Sequence, residues 1–255
     1  MGYTLRTQKK SVMDKDYIKN VVMTKSNHSY MINNKITKLL NKDSWLNKRC
    51  FIIGGGESLK NFDFTKLNKE LTIGINKAFY TYPISTINYS MDSTLYNDIK
   101  NNKLDKPNEA KHWDKWMNYR GIKVFATPLE FKEFGKEVYL VRRNIHKSLN
   151  RQNLDDGIYV GMNSGLGAIC LAVALGANEI YLLGYDMQCK EQSHFHNGYD
   201  ARNLNEFNLK LNEYKQELTS FKTLLDIQNI KVVNLNPNSN LTCFEFGDIT
   251  KVLGE

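Results

Sequence analysis

The sequence predicts an α/β fold, a Rossmann-like doubly wound and largely parallel sheet with a small helical and loop insertion, and three observations predict it. Short apolar runs rich in β-branched and aromatic residues alternate with stretches of helical character along the chain. The first convincing run, Cys50-Phe51-Ile52-Ile53, stops at Gly54-Gly55-Gly56, as a strand does when it enters a tight turn. Further on, Asn163-Ser164 opens a segment of small and apolar residues closed by Gly176 and Asn178, and the run 179–183 follows at once, ending in Gly184-Tyr185-Asp186. A buried helix capped by Asn163 or Ser164 and feeding a central strand explains that order.

At 255 residues and 41% hydrophobic content, the chain is long enough for one such domain and too apolar for general disorder. Residues 1–48 read as an N-terminal extension with one or two helices, one of them amphipathic over 36–45 through Ile36, Leu39, Leu40 and Trp45. Residues 49–255 form the Rossmann-like domain, with further strands at 71–75, 87–91, 123–126, 137–141 and 231–234. A polar insertion at about 97–120 contains Trp113 and Trp116, and a polar stretch at about 142–157 has the composition of a lid loop. Phe207, Leu211, Tyr214, Leu218, Phe221 and Leu225 recur at spacings of 4 and 3, so a helix there covers the sheet and reads as core rather than as part of a site.

Several classes lose support. No apolar run approaches the ~18 residues that cross a bilayer. The basic start of the chain is followed by no apolar stretch, so neither a signal peptide nor an anchor is read and the cytoplasm is the expected compartment. Cys50, Cys170, Cys189 and Cys243 lie far apart, without the spacing of a zinc framework or a disulfide scaffold, and read as free thiols. The formal charge of +8 and the pI near 9.1 favour acidic partners such as nucleotides. Nucleic acid is a weaker candidate, because the lysines are spread along the chain rather than gathered in a stripe.

In open α/β sheets ligands sit beyond the carboxyl ends of the strands, so polar strand ends are the candidate site. Gly54, Gly55, Gly56 and Ser58 follow the first strand, where glycine's positive φ and missing Cβ let backbone amides approach a phosphate. The spacing is neither GxxxxGK[ST] nor a full GxGxxG, which weakens a Walker-type ATPase and a standard dinucleotide fold. Asn76, Asp92 and the Gly184 to Asp186 segment end three further strands around one crevice, although Asn and Asp are also ordinary turn residues. His194 and His196 in Ser193-His194-Phe195-His196 supply imidazoles for proton transfer. Without further convincing ligands, HxH favours acid–base work over zinc, and no metal site is read.

These residues, in this order, resemble two related families. The segments Phe51 to Leu59, Gly74-Ile75-Asn76-Lys77-Ala78-Phe79, Asn163-Ser164-Gly165 through Gly184-Tyr185-Asp186, and Ser193-His194-Phe195-His196 look like motifs of the glycosyltransferase family 42 sialyltransferases and of the DUF115 group. The latter includes enzymes similar to archaeal 6-hydroxymethylpterin diphosphokinase and many proteins from bacteriophage genomes and surface-glycan loci. The match spans roughly residues 49–245. The resemblance implies a nucleotide bound across the strand ends by Gly54, Gly55, Gly56, Ser58, Asn76, Asn163, Ser164, Gly184 and Asp186, with Asp186 counted among the catalytic residues beside a histidine, His194 or His196, as general base. Gly55 and Glu57 stand where the sialyltransferase turn has Asn and Pro, and His196 follows Phe195 directly rather than three residues on. The donor sugar and the choice between His194 and His196 therefore stay open.

The leading expectation is a glycosyltransferase that takes a CMP- or UDP-linked sugar and passes it to a hydroxyl acceptor, either a glycan or a small hydroxylated molecule, with hydroxymethylated DNA as a further candidate. His194 or His196 serves as base, with Arg142, Arg143 or Lys77 neutralising the leaving phosphate in place of Mg²⁺. Asp92 and Asp186 acting jointly on Mg²⁺ is the opposing arrangement. One alternative is a Mg²⁺- and ATP-dependent diphosphokinase of the hydroxymethylpterin type. Another is a nucleotide-binding phage accessory protein without turnover.

Overall fold

The computed structural model describes residues 34–106, 109, 111–127, 134–144, 147, 153–196, 198–199 and 203–254. Its centre is a nine-stranded sheet in the order β6-β5-β4-β3-β2-β1-β7-β8-β9. The strands are β1 (Arg49–Ile53), β2 (Leu71–Ile75), β3 (Ile87–Ser90), β4 (Ile122–Thr127), β5 (Val138–Asn144), β6 (Ile158–Tyr159), β7 (Glu179–Leu183), β8 (Lys231–Asn234) and β9 (Glu245–Phe246). Every neighbouring pair is parallel. The chain winds outward from β1 to β6, then returns to lay β7 along the other side of β1, with Ile53 beside Leu183. That reversal is the switch point of a doubly wound α/β sheet.

The described helices are α1 (Ser93–Lys100), α2 (His112–Asn118), α3 (Ser164–Ala174), α4 (Leu204–Ile227) and α5 (Ile249–Leu253). Alternation along the central strands decides which face each residue serves. Cys50 and Ile52 of β1, with Ile180 and Leu182 of β7, pack with α3 and with Leu218, Phe221 and Leu225 of α4. Phe51, Ile53, Tyr181 and Leu183 point the other way, onto Leu59, Leu67 and the apolar side of α5. A third cluster joins α1 to Phe79, Trp116, Phe125 and Val138. Helix α3 is apolar nearly all round and buried on nearly every side, as expected of a helix pressed between a sheet and a covering helix. Among the described residues, no helix is long and apolar enough to cross a membrane.

Two segments depart from the sequence expectation. Residues 36–45 form a 3-10 turn (Ile36–Lys38) and further turns instead of an amphipathic helix. Asn41 explains the change: its amide donates to Ser44 Oγ at 2.8 Å and its Oδ1 accepts the Asp43 amide at 2.9 Å, local bonds that compete with helix. Ile36 and Trp45 are fully buried, so this part of the extension belongs to the core, while residues 1–33 lie outside the described residues. Strand β5 continues to Asn144, so Arg142 and Arg143 are strand residues rather than the start of a lid; 145–146 and 148–152 lie outside the described residues. In the insertion, Trp116 is buried and meets Phe79 edge-on at 5.1 Å, so it packs onto the parent domain instead of lining a site.

The orientation of α4 is directly testable. Leu218→Ala removes a fully buried side chain and should cost about 2–5 kcal/mol in urea unfolding. Leu209, 66% exposed on the opposite side, should cost less than about 0.5 kcal/mol when changed to Ala. Equal losses at the two positions would contradict the assigned face.

Candidate functional site

The turns after β1, β2 and β7 meet the first residues of α3 in one open cleft at the switch point, lined also by Ser193, His194 and the start of α4. The cleft is open to solvent at its mouth, so a ligand would lie along its floor and walls rather than be enclosed. Gly54, Gly55, Gly56, Asn76, Asn163, Ser164, Gly184, Asp186 and His194 all line it. Ser58, Asp92 and His196 do not.

The glycine turn works differently from the expectation. None of Gly54, Gly55 and Gly56 has positive φ; the left-handed glycine is Gly184, at +66°. What the turn needs is the missing Cβ. A Cβ on Gly54 would sit 2.6 Å from Gly184 O, one on Gly56 would sit 2.5 Å from Asp186 Cγ, and one on Gly55 would meet the His194 ring at 2.7 Å. The Gly54 and Gly56 amides donate to Leu183 O (2.8 Å) and Gly184 O (2.9 Å), so the β1–β7 pairing runs on past both strands. Among the described residues, the Gly55 and Glu57 amides alone in this turn keep no protein acceptor.

Asp186 is a clamp. Its Oδ2 accepts the Ser58 amide at 2.8 Å, and its Oδ1 accepts Ser58 Oγ at 2.6 Å and Asn236 Nδ2 at 2.8 Å. Its own carbonyl accepts the Asn240 amide at 2.8 Å. The buried carboxylate thus ties the β1 turn to the β8 turn, and Ser58 is engaged with it instead of facing the cleft. Asp92 caps α1, accepting from the Thr94 amide at 2.9 Å and Thr94 Oγ1 at 2.7 Å, which is the ordinary turn role of an aspartate after a strand.

Across the cleft, Asn163 is the N-cap of α3, its Oδ1 accepting the Leu166 amide at 2.9 Å. Ser164 Oγ donates to Asn76 Oδ1 at 3.2 Å, joining the α3 start to the β2 end. Asn76 has φ +53°, a left-handed conformation that asparagine tolerates better than most residues. Glu217 supports this corner from α4. Its carboxylate, 8% exposed, accepts from the Met162 amide (2.9 Å), Asn163 Nδ2 (3.1 Å) and Tyr159 OH (3.3 Å). Gly161, at φ +59°, leaves room for it, since a Cβ there would lie 2.4 Å from Glu217 Oε1. The sequence reading missed Glu217, although a carboxylate between Tyr214 and Phe221 on an otherwise apolar stripe is a visible anomaly. It also placed the whole of α4 in the core. Leu218, Phe221 and Leu225 are there, but Phe207, Leu211 and Tyr214 wall the cleft, because the start of the helix overhangs the strand ends.

The two histidines occupy different environments. His194 is partly exposed in the cleft, its Nδ1 2.9 Å from Ser193 Oγ and its ring stacked on Tyr199 at 4.0 Å between centroids. His196 packs beside Tyr80, Phe195 and Tyr199 and accepts the Gly198 amide on Nδ1 at 3.1 Å. Burial first, then the charge of Lys77 and the proximity of His112 and Lys115, lower its pKa to about 4. His196 is therefore a neutral imidazole at pH 7, away from the cleft.

No lysine or arginine is among the described residues lining the cleft. Two of the three expected cations are used elsewhere, Arg143 donating to the carbonyls of Ala126 (3.0 Å) and Met91 and Lys77 to that of Gly198, while Arg142 is exposed on β5 and outside the cleft lining. Among the described residues, no three His, Cys, Asp or Glu side chains are grouped to hold a metal ion. Asp186 is the one carboxylate in the described lining, and both of its oxygens are occupied by protein donors. These residues do not fit a resident Mg²⁺. No protein-family model, curated protein or solved structure matches the chain.

Two outcomes are expected. For His196 the folded-state pKa lies below the unfolded value of about 6.5, so the unfolded chain binds the extra proton first and stability falls as pH drops from about 6.5 towards 4. The loss attributable to His196 should reach up to about 3 kcal/mol, read as the difference in pH dependence between wild type and His196→Asn; identical profiles would contradict the buried neutral imidazole. Gly56→Ala, with backbone on one side of the new methyl and Asp186 on the other, should lower the melting temperature markedly, whereas an unchanged melting temperature would contradict the close approach of the β1 and β7 ends.

Proposed function

We propose that the cleft binds a nucleotide-activated sugar and that the protein is a glycosyltransferase with His194 as general base. One observation carries this reading: a partly exposed imidazole shares a cleft at the sheet's switch point with the N-terminus of a buried eleven-residue helix. The first amides of α3 have no intrahelical acceptor, and the helix dipole places partial positive charge there. With Ser193 Oγ accepting from Nδ1–H of His194, Nε2 keeps its lone pair and takes the proton of the acceptor hydroxyl. The acceptor oxygen bonds the anomeric carbon as the bond to the donor phosphate breaks. The Ser164, Gly165 and Gly55 amides then stabilise the departing negative charge.

The absence of lysine and arginine from the described lining favours a leaving group of modest charge. A nucleoside monophosphate, as released from a CMP-linked sugar, suits amide donors better than a diphosphate, so the CMP-linked donor is preferred to the UDP-linked one. The apolar wall of Phe207, Leu211 and Tyr214 supplies a surface for a planar base or a sugar face. The resemblance of the strand-end motifs to glycosyltransferase family 42 points the same way. A glycan or small hydroxylated acceptor would enter on the His194 side.

His194→Asn should reduce turnover with CMP-linked sugars on the order of 10²-fold or more, while the dissociation constant for CMP stays within about threefold. Turnover in His194→Asn equal to wild type would remove the histidine from the mechanism.

A further inference from the structure

Between β7 and α4 the chain runs through an irregular segment with little backbone pairing of its own. Among the described residues of 187–199, the one backbone–backbone bond is from the Phe195 amide to Gly55 O, at 3.1 Å. His194 sits in this segment, so something else must fix its imidazole. The structure shows what does. Gly198 is gripped from two directions, its amide donating to His196 Nδ1 at 3.1 Å and its carbonyl accepting from Lys77 Nζ. A Cβ on Gly198 would lie 2.9 Å from His196 Nδ1 and 3.2 Å from Lys77 Cδ, so the grip closes directly on the backbone. The next residue is held as well: Tyr199 O accepts from Lys106 Nζ at 3.3 Å, and the Tyr199 ring lies 3.9 Å from Lys77 Nζ. That ring is stacked on His194, at 4.0 Å and 26°.

We propose that Lys77 and His196 are positioning residues that fix the His194 imidazole through Gly198 and Tyr199. Lys77 is 1% exposed, and burying an ammonium is costly unless its donors are used. Here they are used on the segment that carries His194, from a turn whose first residue, Asn76, lines the cleft. His196 stays neutral, and so presents Nδ1 as an acceptor to the Gly198 amide. Neither side chain lines the cleft; both act on His194 through Tyr199, and the His196 ring also lies 5.8 Å from the His194 ring. The second histidine of the HxH pair thus acts by holding the first.

The functional part of this inference rests on His194 being the base; the packing part does not, and the experiment separates them. The His194 imidazole proton resonances, assigned by comparison with His194→Asn, should be displaced upfield by the Tyr199 ring in the wild type. Tyr199→Leu, Lys77→Met and His196→Leu should abolish that displacement, whereas His196→Asn, whose carbonyl can accept the Gly198 amide, should keep it. In the same variants kcat should fall about 10-fold or more with KM within about twofold, and His196→Asn should restore it. Wild-type His194 resonances in both Lys77→Met and His196→Leu would overturn the proposal; the His196 pair keeps the test decisive if Lys77→Met does not fold. Full activity in His194→Asn together with the expected resonance changes would refute the base assignment and uphold the positioning.

Discussion

The structure depends on how closely two parallel strands run on after they end. β1 and β7 lie side by side at the reversal of the sheet, and their pairing continues through Gly54 and Gly56 onto Leu183 and Gly184. Side chains are excluded there because each Cβ would fall on the opposing segment. The approach brings Asp186 under the Ser58 amide and hydroxyl, and the same carboxylate reaches Asn236 beyond β8. Three turns from three strands are thereby locked by one buried anion whose oxygens are satisfied, the condition under which a buried carboxylate is tolerated. The floor of the cleft is the upper surface of that lock.

A second buried carboxylate does the same for the opposite wall. Glu217 gathers the Met162 amide, the Asn163 amide group and the Tyr159 hydroxyl, which sets the angle at which α3 begins. Asn163 can then cap the helix while Ser164 turns to Asn76. The polar groups of the site divide into those already spent on the protein and those left for a ligand. Among the described residues, Asp186, Ser58, Asn163 and Glu217 belong to the first set, and the Ser164, Gly165 and Gly55 amides to the second, with the His194 ring facing them across the cleft. This division is why the proposed chemistry runs through an imidazole and backbone amides rather than through carboxylates.

Much of the fold was legible in the sequence, because its central strands are short apolar runs with polar ends. Glu179–Leu183, Leu71–Ile75 and Lys231–Asn234 have the bounds the pattern gave, and Asn163 is the cap that the small-residue helix called for. The edge was harder. β6 and β9 are two residues each, too short for any periodicity, and the turns of 36–45 are set by bonds of Asn41 that compete with helix. At the candidate site the polar strand-end residues that reach the cleft were named, but Phe207, Leu211 and Tyr214 were read as core and the division of labour among the polar groups was not visible. Asp186 and Asp92 are both acidic strand ends, yet one is a buried clamp and the other a helix cap, and only the third dimension separates them. His194 and His196 are two residues apart and differ in what surrounds them: the cleft for one, a packed aromatic corner beside Lys77 for the other.

The central claim is that the switch-point cleft is where a nucleotide binds. The most direct measurement is a titration of the isotope-labelled protein with CMP, UDP, ADP and their sugar conjugates, with and without EDTA, following backbone amide resonances. A cytidine nucleotide should bind in EDTA and move the amides of Gly55, Asn76, Ser164, Gly165 and His194 most. Binding whose shifts gather away from these residues, or no binding by any member of the panel, would contradict it.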